Sequence, residues 1–136
     1  MITLPFWWPM SHEYLAHEPK ESETPMVSDQ FFYIAGPMSG IENHNRFEFE
    51  VAEKTLRDRG VPAGNIFNPI DHEASLMVQK GLIQGKDAYR ICMKKDLDWI
   101  CDWATNIYML QGWENSKGAK TEWQLAVALG LEIEYQ

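Results

Sequence analysis

The feature that most constrains the fold of this chain is an alternation of short apolar runs with longer amphipathic stretches after residue 30. The apolar runs have the length of buried strands, and the first two end at Gly or Pro. This alternation predicts a parallel sheet with helices on both faces. In the first long helix, Phe47, Val51 and Leu56 are predicted to face the core. The predicted strands lie at 31–35, 65–68, 105–110 and 131–135, and the predicted helices at 45–59, 71–80, 87–103 and 117–129.

Residues 1–29 differ in composition from the rest and are predicted to form an extended N-terminal arm ahead of a single domain at 30–136. Four prolines interrupt the arm, four glutamates make it acidic, and Phe6-Trp7-Trp8 is an aromatic cluster within it. An upstream start codon ahead of a core that begins near Met26 is the alternative reading of this segment.

Charge and composition exclude several classes of partner. The formal net charge of −8 argues against a nucleic-acid polymer, because binding its phosphates needs a basic surface. No apolar run approaches the ~20 residues that cross a bilayer, and the N-terminus lacks the basic start of a signal peptide. Cys92 and Cys101 have a spacing that fits neither a zinc site nor a redox pair. The sequence therefore predicts a cytoplasmic protein with reduced cysteines, no metal, no cofactor and no membrane partner.

The predicted helix at 117–129 carries a carboxylate on its apolar face. Ala119, Trp123 and Ala126 recur at helical spacing, and Glu122 falls on the same face. Burial would raise the pKa of this carboxyl, whereas the helix dipole would lower it. A carboxylate is rarely placed there without a function, which makes Glu122 a candidate site residue.

A second carboxylate repeats the pattern in the preceding long helix, where Asp96 lies between Met93 and Ile100 on the apolar face. Two acids in one pocket with unequal environments can divide the work of glycosyl chemistry. One acts at the anomeric carbon and the other at the leaving base. The alternative is that each acid caps a backbone or pairs with a basic neighbour, and Arg90 and Lys94 are the local partners.

The carboxyl ends of the strands form the edge at which parallel sheets bind ligands, here the loops at 36–44, 68–73 and 111–118. Loop 36–40 offers small residues and N–H groups that suit a sugar or phosphate, although Gly-Pro is also common in plain turns. Ser116 opens a helix whose N–H groups suit an anion, but the local pattern favours a plain N-cap. Trp113 is a candidate to stack on a base, with a core position as the better-supported alternative.

Several motifs along the chain are specific only in combination. They are Tyr33-Ile-Ala-Gly-Pro-Met-Ser-Gly40, Asn68-Pro69, Met93-x-x-Asp96-Leu97, Cys101-Asp102, Leu110-x-Gly-Trp-Glu-x-Ser116 and Gly118-Ala119-x-x-Glu122. Together they resemble the nucleoside 2-deoxyribosyltransferase superfamily, and most closely its DUF4406 branch of phage and bacterial proteins. The resemblance covers about 31–135 and leaves the arm out.

The resemblance implies a flavodoxin-like three-layer α/β sandwich with a four- to five-stranded parallel sheet in the order 2-1-3-4. It implies that Glu122 is the nucleophile, that Asp96 is the acid and that Asp102 is structural. Relatives are homodimers or higher homo-oligomers, in which a neighbouring subunit can complete the site. The substrate-binding residues implied by the resemblance or suggested by the loops are Tyr33, Gly36, Pro37, Met38, Ser39, Gly40, Asn68, Trp113, Ser116, Gly118 and Ala119.

Three functions are compatible with these observations. The first is an enzyme that cleaves or transfers the N-glycosidic bond of a deoxynucleoside or its 5′-monophosphate. The second is a module, in a phage protein for example, that binds a nucleotide or a nucleotide-derived signal without turning it over. The acid pair favours the enzyme, because two carboxylates would repel a phosphate. The third is an interaction protein that uses the Phe6-Trp7-Trp8 cluster as a peptide anchor.

Overall fold

The computed structural model describes residues 29–136, without the side chains of residues 73 and 74. Four strands form one parallel sheet in the order β2-β1-β3-β4. The predicted strand order and the flavodoxin-like three-layer α/β fold are thereby confirmed. The strands are β1 (Phe32–Ala35), β2 (Ile66–Phe67), β3 (Asn106–Met109) and β4 (Glu132–Tyr135), and the helices are α1 (Arg46–Asp58), α2 (Glu73–Gln79), α3 (Gly85–Asp102) and α4 (Lys117–Leu129).

The predicted arm, with its Phe6-Trp7-Trp8 cluster, falls on residues that the structure does not describe, except for Asp29. Within residues 29–136, no helix combines the length and the apolar composition that crossing a membrane would require.

Alternate residues of the central strand β1 pack into two separate cores, one on each face of the sheet. Phe32 and Ile34 join the core that contains Phe49 and Leu56 of α1. Tyr33 and Ala35 join a second core with residues of α3 and α4. Because side chains of a strand alternate between faces, Tyr33 is directed to the face on which the two acid-bearing helices lie.

The buried face of α1 differs from the prediction. Phe49, Ala52 and Leu56 are buried at helical spacing, so the assignment of Leu56 is confirmed. The assignments of Phe47 and Val51 are wrong, because their side chains are 72% and 39% exposed. The apolar residues of this helix lie on two faces, and only the face with regular spacing from Phe49 onward packs against the sheet.

Gly36, directly after β1, is required by a close approach to the residue that follows β3. A Cβ atom at this position would lie 2.7 Å from Cδ1 and 2.8 Å from Cβ of Leu110. We expect Gly36→Ala to lower the free energy of unfolding by about 1–3 kcal/mol, because the fully buried Leu110 has no room to move. Chemical denaturation measures this change.

The matched control for this substitution is Gly64→Ala. Gly64 has no heavy atom within 4 Å of the added Cβ and no left-handed backbone, so its effect is expected to stay within about 0.5 kcal/mol. Equal effects of the two substitutions would show that the contact with Leu110 is not what requires glycine at position 36.

Candidate functional site

A cavity of about 790 Å³ opens at the carboxyl edge of the sheet, between the loop after β1, helices α2 and α3, and the start of α4. Its position agrees with the binding edge expected for a parallel sheet. Most of the residues singled out in the sequence line this one cavity. They are Tyr33, Gly36, Pro37, Met38, Ser39, Gly40, Asp96, Ser116, Gly118, Ala119 and Glu122.

The start of α4 fixes the position of Glu122. The Ser116 hydroxyl accepts a hydrogen bond from the Ala119 N–H at 3.1 Å, so Ser116 is the N-cap that its local pattern predicted. Glu122 follows on the same face as Ala119 and Ala126 and is only 5% exposed. The helix thus places a buried carboxyl group in the wall of the cavity, as the sequence predicted.

Tyr33 connects the sheet to the acids. Its side chain is fully buried, and its hydroxyl donates a hydrogen bond to Oε2 of Glu122. Burial raises the pKa of Tyr33 well above its ordinary value, and the nearby carboxyl groups of Glu122 and Asp96 raise it further. Tyr33 therefore stays protonated and acts as a hydrogen-bond donor to Glu122, with Asp96 close enough to affect its pKa.

Both acids hold protons more tightly than ordinary carboxyl groups do. Burial raises the pKa of Asp96 to about 7, although the hydroxyl of Tyr33 acts in the opposite direction. Burial raises the pKa of Glu122 well above its usual range, the charge of Asp96 raises it further, and Tyr33 again opposes the shift. Near neutral pH the pair therefore retains at least one proton, which it can give up or take back during a reaction.

Neither acid is neutralised by a basic side chain. Among residues 29–136, no ion pair includes Asp96 or Glu122, and Lys94 pairs with Asp98 at 3.0 Å on the outer side of α3. The alternative that each acid serves to pair with a local base therefore finds no support in these contacts. Within the same residues, no group of three His, Cys, Asp or Glu side chains is arranged to hold a metal ion.

Asn68 and Trp113 lie apart from this cavity. The Asn68 side chain is buried and binds backbone, since it accepts from the Ile70 N–H at 3.2 Å and donates to the Phe49 carbonyl at 3.4 Å. The Trp113 ring stacks on Trp123, with ring centroids 5.3 Å apart. The structure therefore does not bring these two residues together with the acids.

Other lining residues were not identified from the sequence. Tyr89, Cys92 and Met93 lie one turn or two before Asp96 on α3, so the helical spacing from that acid was the signal that could have found them. His44 and Lys117 also line this wall, and both lie within the loops that the sequence placed at the binding edge. The sequence carried no comparable signal for the lining residues of α2, because their position depends on the path of the chain after β2. Its described lining residues are Ser75, Val78 and Gln79.

The fold and the cavity together define a flavodoxin-like α/β domain with two acids at its binding edge, the buried Glu122, which accepts from Tyr33, and the partly buried Asp96. A family model described as a domain of unknown function, DUF4406, matches residues 30–135. The chain therefore belongs to the DUF4406 family. A comparison with curated proteins finds no match for it.

Proposed function

We propose that this protein cleaves or transfers the N-glycosidic bond of a deoxynucleoside or a deoxynucleoside 5′-monophosphate. The observation that carries the proposal is the cluster of Asp96, Tyr33 and Glu122 in the wall of one open cavity. Glycosyl transfer needs two acids in different protonation states within reach of one bond. The motif resemblance to the nucleoside 2-deoxyribosyltransferase superfamily supports the same chemistry.

In the proposed first step, a carboxylate oxygen of Glu122 bonds to C1′ of the deoxyribose while the bond from C1′ to the base nitrogen breaks. Asp96 gives its proton to the departing base, which takes the electron pair of the broken bond. In the second step water attacks C1′, Asp96 accepts a proton from that water, and Glu122 is released as a carboxylate. A second base in place of water makes the reaction a transfer.

The proposed roles require the proton of the pair to lie on Asp96. A single proton shared by the two acids leaves one carboxylate to attack and one carboxylic acid to protonate the base. The Tyr33 hydroxyl donates to Glu122, which favours the ionised form of that residue. Burial and the charge of Asp96 raise the pKa of Glu122 and oppose this ionisation in the free protein. The proposal therefore requires the positive charge that develops on the sugar in the transition state to stabilise the Glu122 carboxylate, with the proton on Asp96.

Binding without turnover is the second candidate, and the burial of Glu122 favours it. The charge of Asp96 raises the pKa of Glu122 above the effect of burial alone, and a protonated Glu122 is a poor nucleophile. A pair that retains protons also repels a phosphate less than two carboxylates would. The acid pair alone therefore separates the two functions less sharply than the sequence argument assumed.

Base release from a panel of substrates tests the proposal. The four deoxynucleosides and their 5′-monophosphates are incubated with the wild-type protein and separated by chromatography. We expect free base from at least one substrate. Attack by water should also give free deoxyribose, whereas a supplied second base should give a new nucleoside. Retention of a nucleotide with no base released would reject the enzyme and support the binding module.

Tyr33→Phe tests the link between the two acids. Loss of the hydroxyl removes the donor to Glu122, and we expect kcat to fall by about 10–100-fold through the lost stabilisation of the carboxylate. The optimum of the pH profile should also move upward, because Tyr33 lowers the pKa of both acids. An unchanged profile together with a lower kcat would show that Tyr33 only maintains packing.

A further inference from the structure

A second cavity of about 410 Å³ borders the main one at the same edge of the sheet. The two cavities share Pro37, Ser39, Ile41 and Asn115 in their walls, so they adjoin along the loop after β1. The three residues of the proposed reaction, Asp96, Tyr33 and Glu122, do not line the second cavity. A ligand that occupies both would be larger than a nucleoside.

The second cavity has an ordered polar wall that ties three parts of the chain together. The backbone N–H of Gln111, after β3, donates to Oε1 of Gln136 at 2.8 Å. The side-chain nitrogen of Gln136, after β4, donates to Oε2 of Glu48 on α1 at 2.9 Å. These bonds hold the side chains of Gln136 and Glu48 in place beside the cavity.

Hydrogen-bonding groups remain available around this wall. The hydroxyl of Ser39 and the side-chain amides of Gln111 and Asn115 make no hydrogen bond to any residue in the range 29–136. They line the cavity from different loops, so one bound group could contact several of them. The remaining oxygen of Glu48 adds a strong acceptor for hydroxyl donors.

The charges around the second cavity select against an anion. Glu48 is the one charged residue among the described residues that line it, and no lysine, arginine or histidine is among them. A phosphate or carboxylate placed here would meet repulsion without a compensating cation. An uncharged group rich in hydroxyls would instead pair its donors with Glu48 and the amide oxygens.

We infer that the second cavity is a subsite for a neutral, hydroxyl-bearing group, a second sugar, joined to the nucleoside in the main cavity. The identity of the nucleoside rests on the proposed function, whereas the subsite rests on the walls of the second cavity. Within the proposed substrate class, a deoxynucleoside that carries a second sugar therefore binds more tightly than the bare one.

The test is binding, measured by calorimetry with the Glu122→Gln protein so that no turnover interferes. The probes are thymidine and 2′-deoxyadenosine, each bare or with a glucosyl group on the 5′ or the 3′ oxygen. We expect at least one glucosylated probe to bind about tenfold or more tightly than its parent. Affinities within about twofold for every pair would overturn the inference.

A substitution that fills the second cavity provides the matched comparison for the gain from glucose. Gln111 lines only the second cavity and its side chain is exposed, so Gln111→Trp in the same background should reduce the gain from glucose to below about threefold. Gln124→Trp, on the exposed side of α4, should leave the gain intact. A gain that survives Gln111→Trp would also overturn the inference. Base release by wild type is scored separately, so its absence alongside the gain would reject only the proposed reaction.

Discussion

Glu122→Gln is expected to lower base release by about 10³-fold or more, because the amide has no charge with which to attack C1′. Gln has nearly the shape of the protonated acid and can still accept the hydrogen bond from Tyr33, so the fold should persist. The measurement is the initial rate of base release at saturating substrate, with circular dichroism to confirm the fold.

Glu132→Gln is the matched control for this change. Glu132 begins β4 at the opposite edge of the sheet and is exposed, so its neutralisation should leave the rate unchanged. A Glu122→Gln protein that keeps more than about one tenth of the wild-type rate would exclude a covalent role for Glu122.

Stability is expected to fall as the pH rises from about 4 to 8, because Asp96 and Glu122 both hold protons more tightly in the folded state, and Asp96→Asn should remove the part that Asp96 contributes. The folded protein holds a proton on Asp96 up to a pKa of about 7, whereas the unfolded chain loses it near the ordinary value of 3.8. Between these values the folded state binds more protons, so its stability decreases with pH. At pH 8 we expect Asp96→Asn to raise the free energy of unfolding by about 2–4 kcal/mol.

Urea denaturation of both proteins at pH 4 and pH 8 measures this effect. At pH 4, where Asp96 is protonated, the two proteins should differ by less than about 1 kcal/mol. Asp98→Asn is the control on the same helix, because its exposed pair with Lys94 contributes at most about 1 kcal/mol. Equal stability of wild type and Asp96→Asn at pH 8 would show that Asp96 is not held in a desolvated site.

The sequence was most informative where one periodicity decided the structure. Helical spacing alone placed Glu122 on the buried face of α4, and the structure confirms both the helix and the burial. The same reasoning failed for Phe47 and Val51, because α1 carries apolar residues on two faces and local spacing does not show which face meets the sheet. The order of the strands came from the motif resemblance, since alternation alone leaves several orders open.

The link between Asp96 and Glu122 was beyond local analysis. Tyr33 is 89 residues from Glu122 along the chain, and only the packing of α4 over β1 brings its hydroxyl to the acid. Long-range packing likewise separates Trp113 from the cavity, since its ring stacks on Trp123. The position of a residue after a strand predicts that its backbone lies at the binding edge. The direction of its side chain depends on packing against neighbouring residues, which local sequence does not show.

Trapping of a covalent intermediate tests the central claim most directly. A deoxynucleoside with fluorine at the 2′ carbon slows both steps, because fluorine disfavours positive charge at C1′, and the intermediate accumulates when the base departs faster than water attacks. With the base that wild type releases, we expect intact mass spectrometry to show one added fluorinated pentosyl group, and peptide mapping to place it on Glu122. Base release without an adduct, or with the adduct on another residue, would contradict a role for Glu122 as the nucleophile.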